Sequence, residues 1–201
     1  MVEPTVTNQN LWKWAFFGLL AVVILVAFLI LYLLFSVKPS DYVEQPVEKK
    51  EAMRTLTMSS TTSDFESIAN TYIEQAMKGK QDFPIHLQVK DEVILQTEMK
   101  FFSSVIPVQM YFDPFVTDQG NLLLKLNELE IGRLNLSPKV VMKLVNDAKV
   151  LPNWMIILPK EEQLIIDFSK IPFANGVGVR VKAVDLAADE IELWIDVPVI
   201  E

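Results

Sequence analysis

One uninterrupted apolar stretch, from Trp14 to Phe35, constrains the fold of this chain more than any other feature. It contains no charged residue, and its most polar members are Trp14 and Tyr32. At a rise of about 1.5 Å per residue, about 22 such residues form a helix that is long enough to cross the roughly 30 Å hydrocarbon core of a bilayer. Because lipid offers the backbone no hydrogen-bond partner, a single crossing segment must be helical. The sequence therefore predicts a transmembrane helix over residues 14–35.

The alternative interpretation of an apolar stretch near the N-terminus is a cleaved signal peptide. Signal peptides have apolar regions of about 7–15 residues, which end in small residues at the cleavage site. The stretch in this chain is longer and ends in the bulky residues YLLF. Trp14 and Tyr32 lie near its two ends, where amphipathic rings prefer the membrane interface. We therefore expect an uncleaved anchor whose span ends at Trp14 and Phe35.

The span divides the chain into four predicted segments. These are an N-terminal tail (1–13), the transmembrane helix (14–35), a linker (36–62) and one extracytoplasmic domain (63–201). The linker prediction depends on Pro39, Pro46 and mixed charges, and no apolar period persists there. The remaining residues suffice for one ordinary domain with a substantial core.

The basic residues around the span bear on its orientation. Lys13 lies on the N-terminal side, whereas Lys38, Lys49, Lys50 and Arg54 lie on the other. A simple count of basic residues would place the C-terminal side in the cytoplasm. Long domains, however, translocate largely regardless of charge. We expect a single-pass protein of the cell membrane with its C-terminal domain outside.

Composition excludes several classes of function. The chain has 201 residues and a formal net charge of −8, whereas nucleic-acid binding depends on concentrated Lys and Arg. We therefore expect no nucleic-acid partner. The chain has no cysteine, which excludes disulfides, thiolate nucleophiles and cysteine-based metal sites.

Two stretches of the domain have the apolar period of a helix. The first follows Ser63 and Glu66, whose spacing fits a capping box, and ends before Gly79. The second begins at Ser137 and Pro138, an N-cap serine followed by proline at the first helical position. The stripe of the first helix, which we expect to pack on the domain's own sheet, is Phe65, Ile68, Ala69, Tyr72, Ile73, Ala76 and Met77.

From Phe83 onward the apolar residues alternate with the period of two that is typical of strands. A third strand is predicted to end at Asp113–Pro114, and the turn signal DQGN at 118–121 precedes a fourth strand over 122–131. The predicted fold class is α+β. An N-terminal transmembrane helix is followed by a curved, mostly antiparallel sheet of about six or seven strands with two helices.

Several predicted strands are apolar on both faces, such as Leu122–Leu124, Ile156–Leu158 and Leu164–Ile166. Two short helices cover only part of one face of such a sheet. Either the sheet curls and fills its own interior, which is the usual outcome for buried strands, or the excess apolar surface lines a groove. The sequence leaves both alternatives open.

Five segments of the chain resemble the YpmS family. They are IPVQMYFDP (106–114), DQGNL (118–122), IGRLNLSP (131–138), LPNW (151–154) and AVDLAADEI (183–191). The resemblance covers nearly the whole chain, including the single span. It implies a single-pass protein of Gram-positive bacteria that faces outward and whose biochemical role is not established. It supplies no catalytic residue.

Chemical signatures of an enzyme do not emerge from the sequence. The only histidine, His86, shares the polar face of its strand with Gln88 and Lys90, so we expect a solvated side chain. A transition-metal site normally needs several ligands. Two groups of carboxylates, for which a solvated rim is the expected role, are Glu128 with Glu130, and Asp185 with Asp189, Glu190 and Glu192. We predict no catalytic residue, no metal site and no cofactor; the ligand-binding residues stay unknown.

Two main functional hypotheses follow. The first is a membrane-anchored, non-enzymatic domain that binds a lipid or another apolar ligand, and it depends on the doubly apolar strands. The second is an interaction module for a protein partner in a cell-envelope complex, with the span and the helix over 65–77 as contact surfaces. An envelope hydrolase is a third and weaker hypothesis, because it requires a cleft with convergent carboxylates.

Overall fold

The computed structural model describes residues 9–35, 42–44, 53–79, 84–101, 104–132, 136–149 and 151–199. The chain divides into two compact units, Met1–Lys38 and Pro39–Glu201. In the first unit, helix α1 extends over Gln9–Phe35, so the predicted tail contributes residues 9–13 to the helix. Its segment Lys13–Tyr32 is long and apolar enough to cross a membrane, and these side chains are exposed along the whole segment. An apolar surface on every side is typical of a membrane span.

The second unit contains, among the described residues, nine strands and two helices. In chain order they are β1 (Met53–Ser60), α2 (Thr62–Ala76), β2 (Ile85–Val89), β3 (Val93–Phe101), β4 (Ser104–Val116), β5 (Leu122–Ile131), α3 (Pro138–Asp147), β6 (Met155–Leu158), β7 (Gln163–Ile166), β8 (Gly178–Asp185) and β9 (Glu190–Pro198). The strands form a three-stranded sheet in the order β1-β9-β8 and a six-stranded sheet in the order β2-β3-β4-β5-β7-β6. Every pairing is antiparallel, which confirms the α+β class.

Strand β1 corrects the predicted linker. Residues 53–60 pair along their full length with β9, in the register Met53↔Pro198 to Ser60↔Ile191. The sequence MRTLTMSS lies in the predicted linker because no apolar period persists there. Its alternation of Thr with Leu56 and Met58 nevertheless matches the period of a strand. Of the rest of the predicted linker, only residues 42–44 and 61–62 lie within the described ranges.

Two local predictions also need correction. Helix α2 begins two residues earlier than the predicted Ser63 cap implied: Thr61 is the N-cap, and its hydroxyl accepts from the backbone N–H of Asp64 at 3.1 Å. Strand β4 continues past Pro114 to Val116, and this last part pairs with β5 in the register Pro114↔Leu124. Ser137 does occupy the N-cap of α3, although its side chain makes no capping hydrogen bond.

The two sheets meet at the turn between β4 and β5. Gly120 has φ +77°, and its carbonyl accepts from the N–H of Val181 in β8 at 2.7 Å. A Cβ at this position would lie 2.7 Å from Cβ of Arg180, so only glycine fits here. The predicted turn at 118–121 is confirmed, and it joins the three-stranded sheet to the six-stranded sheet.

The hydrophobic core lies within the space enclosed by the sheets and helices of the second unit. Helix α3 packs against β6, and Val141, Met142 and Val145 on its inner face are buried. Helix α2 contacts β2 and β9, and only Ile73 among its residues is buried. This difference between the two helices gives the domain its candidate functional site.

Candidate apolar ligand site

A cavity of about 200 Å³ lies among α2, the three-stranded sheet and the six-stranded sheet. The atoms that line it are almost entirely apolar. For comparison, a cavity of about 150 Å³ lined by Leu, Ile and Phe stays dry and binds benzene. The domain therefore has a buried core and, beside it, an apolar space that its own side chains leave open.

The three-stranded sheet forms one wall of the cavity with its inner face. Residues directly opposite one another on paired strands project from the same face. One such row consists of Met58 in β1, Leu193 in β9 and Val181 in β8. All three line the cavity. The opposite face of this sheet is polar, and there Arg180 makes a bidentate ion pair with Asp196 (2.8 and 3.1 Å) and stacks over the ring of Trp194.

The six-stranded sheet forms the facing wall. Leu122, Leu124 and Ile166 on its central strands line the cavity, as does the buried ring of Trp154 just before β6. These residues belong to two of the doubly apolar stretches of the sequence, Leu122–Leu124 and Leu164–Ile166. An aromatic pair lies at the α2 side of the cavity, where the rings of Tyr72 and Phe173 meet edge to face at 5.5 Å.

Helix α2 covers the cavity with the apolar stripe predicted from the sequence. Phe65, Ile68, Ala69, Tyr72 and Ile73 all line the cavity, whereas Ala76, which the prediction included, is exposed. The stripe therefore faces the domain's own sheets, as expected. Ile68, at the edge of the stripe, is 51% exposed.

Polar side chains attach α2 to the edge strand β2. The Asn70 side chain accepts from the N–H of Leu87 at 2.8 Å and donates to the carbonyl of the same residue at 2.7 Å. The Glu66 carboxylate accepts from the N–H of Val89 at 2.7 Å. Glu66 therefore serves the sheet edge instead of the capping box that we predicted. These contacts replace a missing neighbouring strand and protect the edge of the sheet.

The start of α2 is attached to the turn between β8 and β9. The carboxylate of Asp189 accepts from both the backbone N–H and the hydroxyl of Thr62, and these bonds lower the pKa of Asp189. Nearby, the hydroxyl of Ser59 donates to Glu190 at 2.9 Å. Two members of the predicted acidic group thus act as hydrogen-bond acceptors that position the β1–α2 corner.

The segment 42–44 binds the domain near the end of the cavity that Phe168 lines. The hydroxyl of Tyr42 donates to Asp167 at 3.2 Å, and the Glu44 carboxylate accepts from Asn121 at 2.6 Å. Burial and the Asp167 carboxylate raise the pKa of Tyr42 well above its ordinary value. Burial opposes ionisation of Asp167, but hydrogen bonds from Ser169 and Lys170 outweigh this effect and lower the pKa of Asp167.

The other polar residues considered in the sequence lie away from the cavity. His86 in β2 is exposed, as predicted. Glu128 and Glu130, which share strand β5, are also exposed. Burial, followed by the charges of these two carboxylates, raises the pKa of the neighbouring Tyr111. Within the described ranges, no three His, Cys, Asp or Glu side chains come together in a way that could hold a metal ion.

Comparison with known proteins supplies a family. Residues 10–197 match the model of DUF2140, described as an uncharacterized protein conserved in bacteria. The chain belongs to this family. It is also 26% identical over 186 residues to "Uncharacterized protein YpmS" of Bacillus subtilis (strain 168), an alignment that covers 92% of this chain and 96% of the relative. The family resemblance read from the five sequence segments is thereby confirmed, and no solved structure matches the chain.

Proposed function

We propose that this DUF2140 protein is a membrane-anchored, non-enzymatic domain that binds the aliphatic chain of a lipid in the cavity under α2. The observation that carries the proposal is the cavity itself: about 200 Å³ of space with an almost entirely apolar lining. A wall of this composition offers dispersion contacts and excludes water, and these are what a hydrocarbon chain requires.

The energetics suit reversible exchange with a bilayer. Transfer of one methylene group from water into an apolar site is favourable by about 0.8 kcal/mol. Transfer from the bilayer gains much less, because lipid tails are themselves as apolar as leucine side chains. A chain that moves between bilayer and cavity therefore passes between two environments of similar free energy. Such a site suits a protein that takes up and releases lipid.

The residues around the cavity also support a role without catalysis. Among the described residues that line it, the polar side chains are those of Ser60, Tyr72 and Trp154, and none is an acid, a base or a histidine. Hydrolysis would require an activated nucleophile or water beside a general base. No such pair lines this cavity.

The proposed location is the outer face of the cell membrane, with α1 as the anchor. Two observations support this location. Helix α1 is long and apolar enough to serve as an anchor, and long domains translocate largely regardless of the charges beside the span. The test is protease treatment of intact cells that carry an epitope after residue 201. Loss of the epitope signal is the expected result. A signal that survives in intact cells and disappears only after lysis would place the domain inside.

Photocrosslinking tests the ligand proposal. The full chain in lipid nanodiscs would contain a phospholipid with a diazirine near the end of one acyl chain, and adducts would be mapped by peptide mass spectrometry. We expect adducts on cavity segments such as 122–124 and 191–195, in addition to those on α1.

A pair of variants on α2 provides the matched control. Ala69 lines the cavity and Ala76 is exposed, so Ala69→Phe adds a ring to the cavity whereas Ala76→Phe adds it to the surface. Because the ring takes space that an acyl chain would need, occupancy should fall by about tenfold or more, which corresponds to about 1.4 kcal/mol or more of binding free energy. Cavity adducts should therefore fall in Ala69→Phe and persist in Ala76→Phe. Adducts confined to α1 in every sample, or crosslinks to a discrete protein partner, would contradict the proposal.

A further inference from the structure

The cavity opens to solvent between β1 and α2. Along the row that crosses the three-stranded sheet, the exposed fraction rises from 1% at Val181 to 7% at Leu193 and 42% at Met58. On the facing helix, Ile68 lines the cavity and is 51% exposed. The apolar lining thus continues to the surface on the β1 side.

Leu56 extends this apolar surface beyond the cavity. It lies two residues before Met58 on the same strand, so both side chains project from the same face of the sheet. Its register partner in β9 is Ile195, which lines the cavity, whereas Leu56 itself is 60% exposed. We define Leu56, Met58 and Ile68 as the cavity rim. Three large exposed apolar side chains at the opening of an apolar cavity indicate contact with an apolar partner.

The chain itself indicates which partner is available. Residues 36–41 connect the span to Tyr42, which is bound to the domain, and six residues extend over at most about 22 Å. A domain on so short a connection stays close to the membrane that holds the span. The only ionisable residue in β1 is Arg54, whose positive charge suits the phosphate groups of lipids.

We propose that the cavity rim rests on the lipid bilayer in which the chain's own span is anchored, so that an acyl chain enters the cavity without crossing water. This inference concerns the entrance of the cavity and rests on the proposed function. Met58 and Ile68 then belong both to the docked surface and to the wall of the site. The partner is the hydrocarbon edge of a lipid surface and not a second protein.

The absence of native cysteine allows a direct test. Leu56→Cys and Thr57→Cys would each be labelled with the environment-sensitive dye NBD in the full chain, in nanodiscs that contain a lipid with a nitroxide on its acyl chain. Thr57 is the matched control, because its exposed side chain projects from the other face of β1. Its register partner in β9 is Trp194. We expect a blue-shifted emission and a loss of intensity through the nitroxide at position 56 but not at position 57.

Three results would overturn the inference. These are equal quenching at both positions, no quenching at either, and shielding of position 56 that depends on protein density and not on the nitroxide lipid, which would indicate a second copy of the chain. The two proposals fail separately. Cavity adducts without quenching at position 56 refute the docking alone, whereas quenching at position 56 without cavity adducts refutes the ligand proposal.

Discussion

The two helices of the domain are both amphipathic, yet they meet the core in different ways. Helix α3 packs against β6 and buries Val141, Met142 and Val145. Helix α2 lines a cavity with five side chains and buries only Ile73. The attachment of α2 depends on polar contacts from Asn70, Glu66 and Thr62. One helix therefore supplies packing energy, whereas the other encloses a space.

The largest expected difference between α3 and α2 is in the free energy of unfolding that is lost when a side chain on the inner face is truncated to alanine. Met142→Ala removes a fully buried side chain and should lower the free energy of unfolding by about 2–5 kcal/mol. Ile68→Ala, at a half-exposed position on α2, should cost less than about 1 kcal/mol. Urea unfolding of the full chain in nanodiscs, followed by circular dichroism, measures both. Equal losses would remove the distinction between the helices.

Replacement of a small side chain by phenylalanine should change the stability of the domain in opposite directions under the two helices. Val145→Phe places a ring in the packed region under α3 and should destabilise the domain by about 1–3 kcal/mol. Ala69→Phe fills part of the cavity and should be neutral or stabilising by about 0.5–2 kcal/mol. The same unfolding measurement applies. A loss of more than about 1 kcal/mol for Ala69→Phe would show that the space is already occupied by the protein.

The polar attachment of α2 has an intermediate expected effect. Asn70→Ala leaves the N–H and the carbonyl of Leu87 at the sheet edge without their side-chain partner, at a cost of about 1–3 kcal/mol. Hydrogen exchange at the Leu87 amide should accelerate before exchange in α3 does. Ser67→Ala is the control on the exposed face of α2, where changes of about 0.5 kcal/mol or less are expected. Unchanged exchange at Leu87 in Asn70→Ala would mean that other contacts hold the helix.

The smallest expected effect depends on pH. Because the folded-state pKa of Asp167 is lowered, its contribution is present above the unfolded pKa, near 3.9, and is lost as the pH falls through the folded value. Asp167→Asn should cost about 1 kcal/mol at neutral pH and flatten the acid dependence of stability below about pH 4. The exposed Asp113→Asn is the control. Measurement of the free energy of unfolding from pH 3 to pH 7 checks this prediction. If Asp167→Asn lost stability below about pH 4 as steeply as the unchanged chain, the prediction would be wrong.

Local patterns predicted the elements whose signals are short in range. The apolar period identified α2 and α3, and the predicted DQGN turn lies where β4 meets β5. Strand β1 was missed because Ser and Thr obscured its alternation, and its partner β9 lies more than a hundred residues away in sequence. Pairing over such separation is set by tertiary contacts, which a local pattern does not contain.

The candidate site was predictable only as an excess of apolar residues. Doubly apolar strands indicated that apolar surface would have to be covered or would line a groove, but the outcome depends on how closely α2 approaches the sheets. That approach is set by Glu66 and Asn70, whose partners are backbone groups of β2. The same glutamate fits a capping box equally well from the sequence alone, so the competing tertiary contact was not visible.

If the space under α2 accepts a lipid chain, a quencher attached to that chain should reach Trp154. Trp154 lines the cavity and is 5% exposed, so a quencher in the bilayer reaches it only through the cavity. The measurement uses the full chain with Trp12, Trp14 and Trp194 replaced by Phe, in nanodiscs of phospholipid brominated on one acyl chain. We expect brominated lipid to quench Trp154 in the otherwise unchanged cavity, and we expect this quenching to disappear in Ala69→Phe. Fluorescence that is unaffected by brominated lipid, or equally quenched with Ala69→Phe, would contradict it.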